Sequence, residues 1–124
     1  MLAHPITAAV VAGSPVSGIF GASNACNISF QFNCANHTSG NGVLTVLGSN
    51  DGVTYTAIAF IDPTVANTNA QNITRVLSKT LSSNASAIGT IENWFKFQFI
   101  KFTVTITTDG TYDVYVWYDY ANKD

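Results

Sequence analysis

The sequence predicts an all-β domain: an antiparallel β-sandwich or jelly-roll-like fold with little or no helix. Three observations carry this. β-branched and aromatic residues gather into short runs separated by Gly, Asn and Asp clusters at regular spacing. Over residues 25–34 the even positions, Cys26, Ile28, Phe30, Phe32 and Cys34, are apolar or thiol, while Asn27, Ser29, Gln31 and Asn33 alternate with them. That period of two marks a strand with one face buried and one face wet. Finally, the run 94–120 contains two strand-like segments around Thr108, Asp109 and Gly110.

In chain order, residues 1–18 are small and apolar, punctuated by Pro5, Gly13, Pro15 and Gly18. They read as an N-terminal arm that reaches a neighbour or as an edge strand, since proline has no place in a central strand. Residues 19–124 read as a single β-sandwich domain. The strand 25–33 comes first, and Asn- and Gly-rich residues 35–42 make a loop. Strands 43–48 and 54–61 flank Ser49, Asn50, Asp51 and Gly52, a four-residue turn that pairs Val46 with Tyr55 and Leu44 with Ala57. Asp62 and Pro63 end that strand, and 64–72 is polar loop. Residues 73–81 fit a helical face or a strand, and strand is the better reading among so many short strands. Residues 82–92 connect to the last two strands.

Those last strands invite a register argument. With a two-residue loop, polar and apolar side chains mix on both faces. With a three-residue loop over 108–110, Ile106 meets Tyr112, Val104 meets Val114, Phe102 meets Val116 and Ile100 meets Tyr118. A single face is then apolar, and a one-residue slip would destroy the segregation. The expected unit is therefore a hairpin with Gly110 left-handed. Its outer face would carry Thr105 beside Asp113, Thr103 beside Tyr115 and Lys101 beside Trp117. The apolar phase flips near Phe99, which points to a β-bulge or to a strand bending between sheets.

At 124 residues the chain suits one domain with a real core. Charged residues are only 10% against roughly 25% in ordinary soluble domains. Such a surface suits a β protein that hides area in an assembly, or one that stays soluble on hydroxyls and amides. The net charge is −2 with no basic cluster, which argues against nucleic acid as a partner. No run is long enough for a membrane span. The first residues lack the basic and apolar regions of a secretory signal. The Asn-x-Ser/Thr triplets at Asn27, Asn36, Asn72 and Asn84 are no more than so Asn-rich a chain yields by chance. Cys26 and Cys34 would stand roughly 26 Å apart on one continuous strand. A disulfide needs Cα atoms within about 7 Å, so both read as small core residues.

No catalytic, cofactor-binding or metal-binding residues are expected, and the chain does not read as an enzyme. His4 lies in the arm and His37 in a loop, so neither offers a base beside a nucleophile. Asp51 and Asp109 are taken up by turns. Calcium at Asp51 would need six to eight oxygens, and few carboxylates are near in sequence. The informative surface is the outer side of the last strand, Tyr115 and Trp117 flanked by Asp113 and Asp119. It is an interface with another subunit, a platform for sugar rings, or a surface covered by residues 82–92 or a second sheet. Lys101, Ile6, Val10 and Val11 complete the candidate interface residues.

The segment Gly48-Ser-Asn-Asp-Gly-Val-Thr-Tyr55, with the strand pair 99–120, resembles small phage virion β-sandwich proteins. These share a Gly-Ser-x-Asp-Gly hairpin followed by an aromatic, and a late alternating aromatic strand. The resemblance covers roughly residues 19–120 as a pattern. It implies a structural virion protein: a capsid decoration (cement) protein, a head fibre or a tail-associated sandwich. The short chain and low charge favour decoration. The implied partners are the major capsid protein or other virion proteins, and further copies of the chain, with a trimer favoured. The implied location is the virion. A carbohydrate-binding or host-attachment module is the alternative.

Overall fold

A computed structural model describes residues 1–69, 71–93 and 96–120. Its strands, in chain order, are β1 (Leu2–Ala9), β2 (Val16–Gly21), β3 (Ala25–Ala35), β4 (Gly42–Ser49), β5 (Thr56–Ala57), β6 (Phe60–Ile61), β7 (Arg75–Val76), β8 (Ser78–Leu81), β9 (Ala85–Ile91), β10 (Phe99–Ile106) and β11 (Thr111–Tyr120). They form two antiparallel sheets packed face to face, with no helix among the described residues. The larger sheet runs β1-β11-β3-β9-β6-β7 and the smaller β2-β10-β4-β5, with β8 also pairing β4. This is the expected β-sandwich. Residues 1–18 supply β1, the edge strand of the larger sheet, and the first part of β2.

The core lies between the sheets. Phe30, Phe32, Tyr112, Val114 and Val116 come from the larger sheet, and Leu44, Val46, Ile100, Phe102, Val104 and Ile106 from the smaller. The Phe30 ring meets Phe60 and Phe102 edge-on, with centroids 5.1 and 5.4 Å apart. Glycine at 89 makes room for it, because a Cβ there would overlap the Phe30 ring.

Residues 99–120 do not form the expected hairpin. β10 pairs β2 and β4, whereas β11 pairs β1 and β3. The turn 107–110 is a crossover between sheets. The expected inward residues are nonetheless the buried ones, and Gly110 does take a positive φ of 108°. Two strands facing each other across a sandwich segregate apolar side chains as well as two strands side by side. Alternation reports the face and leaves the neighbour open. The proposed pairs Ile106/Tyr112 and Lys101/Trp117 therefore fall away. Asp109 holds the crossover by accepting from the Thr38 and Ser39 amides at 2.9 and 3.1 Å and from the Thr38 hydroxyl.

Four further expectations are corrected. β5 pairs β4 as Leu47↔Ala57 and Gly48↔Thr56, three residues away from the expected register. Asp51 widens that turn by accepting from the Val53 and Thr54 amides, each at 2.8 Å. The single strand foreseen over 54–61 divides, with β5 in the smaller sheet and β6 in the larger. Residues 82–92 are mostly β9, which pairs β3 over seven residues. Its inward positions are Ala85, Ala87, Gly89 and Ile91, mostly too small to announce a strand. Lastly, Cys26 leaves the alternation. The β3–β11 register slips between Ser29 and Cys26 at Asn27, whose φ is 51°. Asn tolerates that conformation. Ala25 turns inward and Cys26 is half-buried. Both thiols are free.

The apolar phase change near Phe99 marks the start of β10, whose ladder is regular from Phe99 onward. Trp94 and Phe95, part of that reading, lie outside the described residues. Residues 73–81 are extended, broken into β7 and β8 at exposed Leu77. Asp62 is 3% exposed and binds the Lys79 ammonium at 2.9 Å. Burial pushes its carboxyl up, but the Thr64 hydroxyl, Lys79 and the Thr64 amide outweigh that and hold it below the usual range.

Candidate functional site

The outer face of the larger sheet is a grid set by strand register. One row runs Leu2, Trp117, Ser29, Thr90, and the next carries Tyr115, Gln31 and Ile88. A third carries Asp113, Asn33 and Ser86. Rows stand roughly 7 Å apart along a strand, and strands about 4.8 Å apart. Trp117 is 55% exposed, Leu2 65% and Ile88 54%. Between them lies a depression of about 130 Å³ lined by Leu2, Ser29, Phe30, Gln31, Ile88, Tyr115 and Trp117. Among the described residues no carboxylate, ammonium or guanidinium lines it. Phe30 points into the core, so its share of the lining is the sheet floor. Gln31 Nε2 donates to Asn33 Oδ1 at 2.9 Å, which fixes the amide on the floor.

Tyr115 is half-buried because His4 lies on it, the rings stacked at 4.0 Å and 14°. His4 Nε2 and Asp113 Oδ1 are 3.0 Å apart, and the same oxygen accepts from the Ala8 amide at 2.8 Å. His4 thus belongs to β1, not to a loose tail. A histidine beside a carboxylate is part of what general-base chemistry needs. The rest is not assembled: among the described residues no hydroxyl or thiol is hydrogen-bonded to His4. The trio of His4, Asp113 and Ala8 fastens β1 to β11.

The structure separates the other candidate residues. Lys101 lies on the outer face of the smaller sheet, its Nζ 4.3 Å from the Tyr55 ring centre and remote in topology from Trp117. Ile6 is 2% exposed in the chain's own core and is not available to a neighbour in this arrangement. Val10 and Val11 are 59% and 55% exposed where the chain leaves β1. Residues 82–92 do not cover Trp117. They run within the same sheet as β9 and contribute Ile88 to the depression. Ile88, Leu2, Ser29 and Gln31 escaped the sequence reading. The Ser86-x-Ile88-x-Thr90 alternation was the available signal for the first of these.

Among the described residues no group of three His, Cys, Asp or Glu side chains is placed to hold a metal. Asp51 works as a turn acceptor. The Thr54 and Val53 amides and the Ser49 hydroxyl hold its carboxyl down at about 2. Asp109 is also held at about 2, by the Thr38 hydroxyl and then the Thr38 and Ser39 amides.

The fold and this face define a two-sheet β-sandwich with a neutral, aromatic surface patch. No family model matches the chain, and no curated protein matches it. Among solved structures it is similar to the crystal structure of SPBc2 prophage-derived protein YomS. The identity is 11%, the TM-score 0.46, and the match covers 90% of this chain and 100% of that one.

Proposed function

We propose that this protein is a structural component of a bacteriophage virion, a decoration protein that binds the capsid surface and associates with further copies of itself. It acts by adhesion, with no chemical turnover. The observation that carries the reading is Trp117, more than half exposed in a neutral depression on the outer face of the larger sheet. Large aromatics ringed by neutral polar groups are what protein interfaces use as anchors. Support also comes from the Gly48-Ser-Asn-Asp-Gly-Val-Thr-Tyr55 segment and from the scarcity of charge. A shell contact repeated around a particle resists internal pressure through the sum of its copies.

Mass spectrometry of purified particles tests the location, with the chain expected in many copies per particle. Binding of purified protein to undecorated capsids tests the face. Trp117→Ala is expected to weaken it about 30-fold, the scale of a 2 kcal/mol anchor. A variant that binds as well as the parent would remove this face from the contact. Gln31 and Ser29 beside Trp117 favour a second reading, a sugar ring stacked on the indole. A glycan array separates the two, because binding there that Trp117→Ala abolishes belongs only to the sugar.

A further inference from the structure

We infer that β1 is an exchangeable strand, which in the assembled protein lies on β11 of another copy of this chain. The inference deepens the proposed self-association and rests on it; it adds the segment that does the joining.

The cis connection is short. Ala9 is paired with Tyr112 on the larger sheet, and Ala12 forms a parallel bridge with Ile106 on the smaller. Gly13 donates to the Ile106 carbonyl at 2.9 Å, so the far end of the crossing is anchored. Only Val10 and Val11 lie between the two anchored positions, so the crossing is made by two residues. Just before them Ala8 is held at φ 48°, a conformation alanine avoids, by its bond to Asp113. Short, strained hinges favour exchange between copies, because opening the hinge relieves them while every strand contact is remade in trans.

The strand itself suits exchange. It is an edge strand, contains Pro5, and its register to β11 shifts between Ala3 and Ile6 and again between Ile6 and Ala9. Its hold consists of four register pairs, the reciprocal Met1–Tyr118 backbone bonds, buried Ile6 and Ala9, the His4–Tyr115 stack and the trio around Asp113, all of which a second copy offers identically. Exchange also explains exposed Val10 and Val11. Two β-branched residues with Pro15 beyond them favour an extended path, and between copies that path has a neighbour to cover it. Leu2 and His4 of one copy would then complete the face around Trp117 and Tyr115 of the next.

The test uses the full chain. Leu2 and Trp117 are register partners, so Leu2→Cys/Trp117→Cys, in a Cys26→Ser/Cys34→Ala background, traps β1 where it lies. Light scattering should give more than one chain for the parent protein, and non-reducing gels should show the trapped protein linked between chains. Inserting three glycines between Val10 and Val11 should shift the parent mass to a single chain. An oligomer whose trapped disulfides all lie within one chain, or whose mass survives the insertion unchanged, would overturn strand exchange and leave self-association standing. A parent protein that is a single chain at the highest concentration would overturn both.

Discussion

The two Asp-Gly turns carry the same chemistry and make different connections. Among the described residues Asp51 accepts from its own neighbours, Ser49, Val53 and Thr54, and the chain turns back beside β4. Asp109 accepts from Thr38 and Ser39, seventy residues away, and the chain leaves one sheet for the other. Gly52 sits at φ 75° in a half-open turn, while Gly110 sits at φ 108° and is buried against Tyr112. The contrast teaches that turn residues set local curvature. The destination of the chain is set by what the turn grips.

The largest expected effect follows from the glycines. Gly110→Ala should cost about 2–4 kcal/mol, since a Cβ would stand 2.9 Å from Tyr112 Cε2 at a φ alanine does not adopt. Gly52→Ala should cost about 1 kcal/mol, the usual penalty for a left-handed alanine, with Phe99 at 3.2 Å able to yield. Urea unfolding measures both, and equal losses would erase the distinction between the turns.

Next come the carboxylates. Asp109→Ala should lower the unfolding midpoint more than Asp51→Ala, because only the former unties two remote loops. Hydrogen exchange at the Thr38 and Ser39 amides should speed up in the Asp109 variant alone. A drop of equal size in both variants would mean that the crossover is held by packing.

The pH response sharpens the same point. Both carboxyls are held at about 2, below the ordinary 3.8. Their folded pKa values are depressed, so their contribution is complete above the unfolded value and is lost as pH falls through the folded one. Stability should hold level from neutral pH to about 4 and then fall toward pH 2. Asp109→Asn should blunt that fall, as seen in acid titrations followed by circular dichroism.

The smallest effect is expected at Lys101. Its ammonium over Tyr55 is the cation–π contact between β10 and the end of the local turn, and Lys101→Ala should cost about 0.5 kcal/mol. A much larger loss would show that this turn, too, depends on a remote partner.

Period-two alternation was enough to place the inward side chains of β10, β11 and the middle of β3, whereas inward Ile6, Ala25 and Ile91 were legible only in the fold. Phe30, Phe32, Phe102, Val104, Ile106, Tyr112, Val114 and Val116 all lie where the period-two pattern put them, because side-chain direction in a strand is a property of the local backbone. The outward placement of Tyr115 and Trp117 was legible for the same reason. Tertiary structure alone decided which strands are neighbours: β10 and β11 in different sheets, β9 beside β3, Lys101 on the opposite outer face from Trp117. It also decided that His4 would cover Tyr115 and that Leu2 and Ile88 would frame the indole. Such neighbours arise from hydrogen bonds and packing between residues tens of positions apart. A small inward residue such as Gly89 is read correctly only once the ring of Phe30 is seen to need its space.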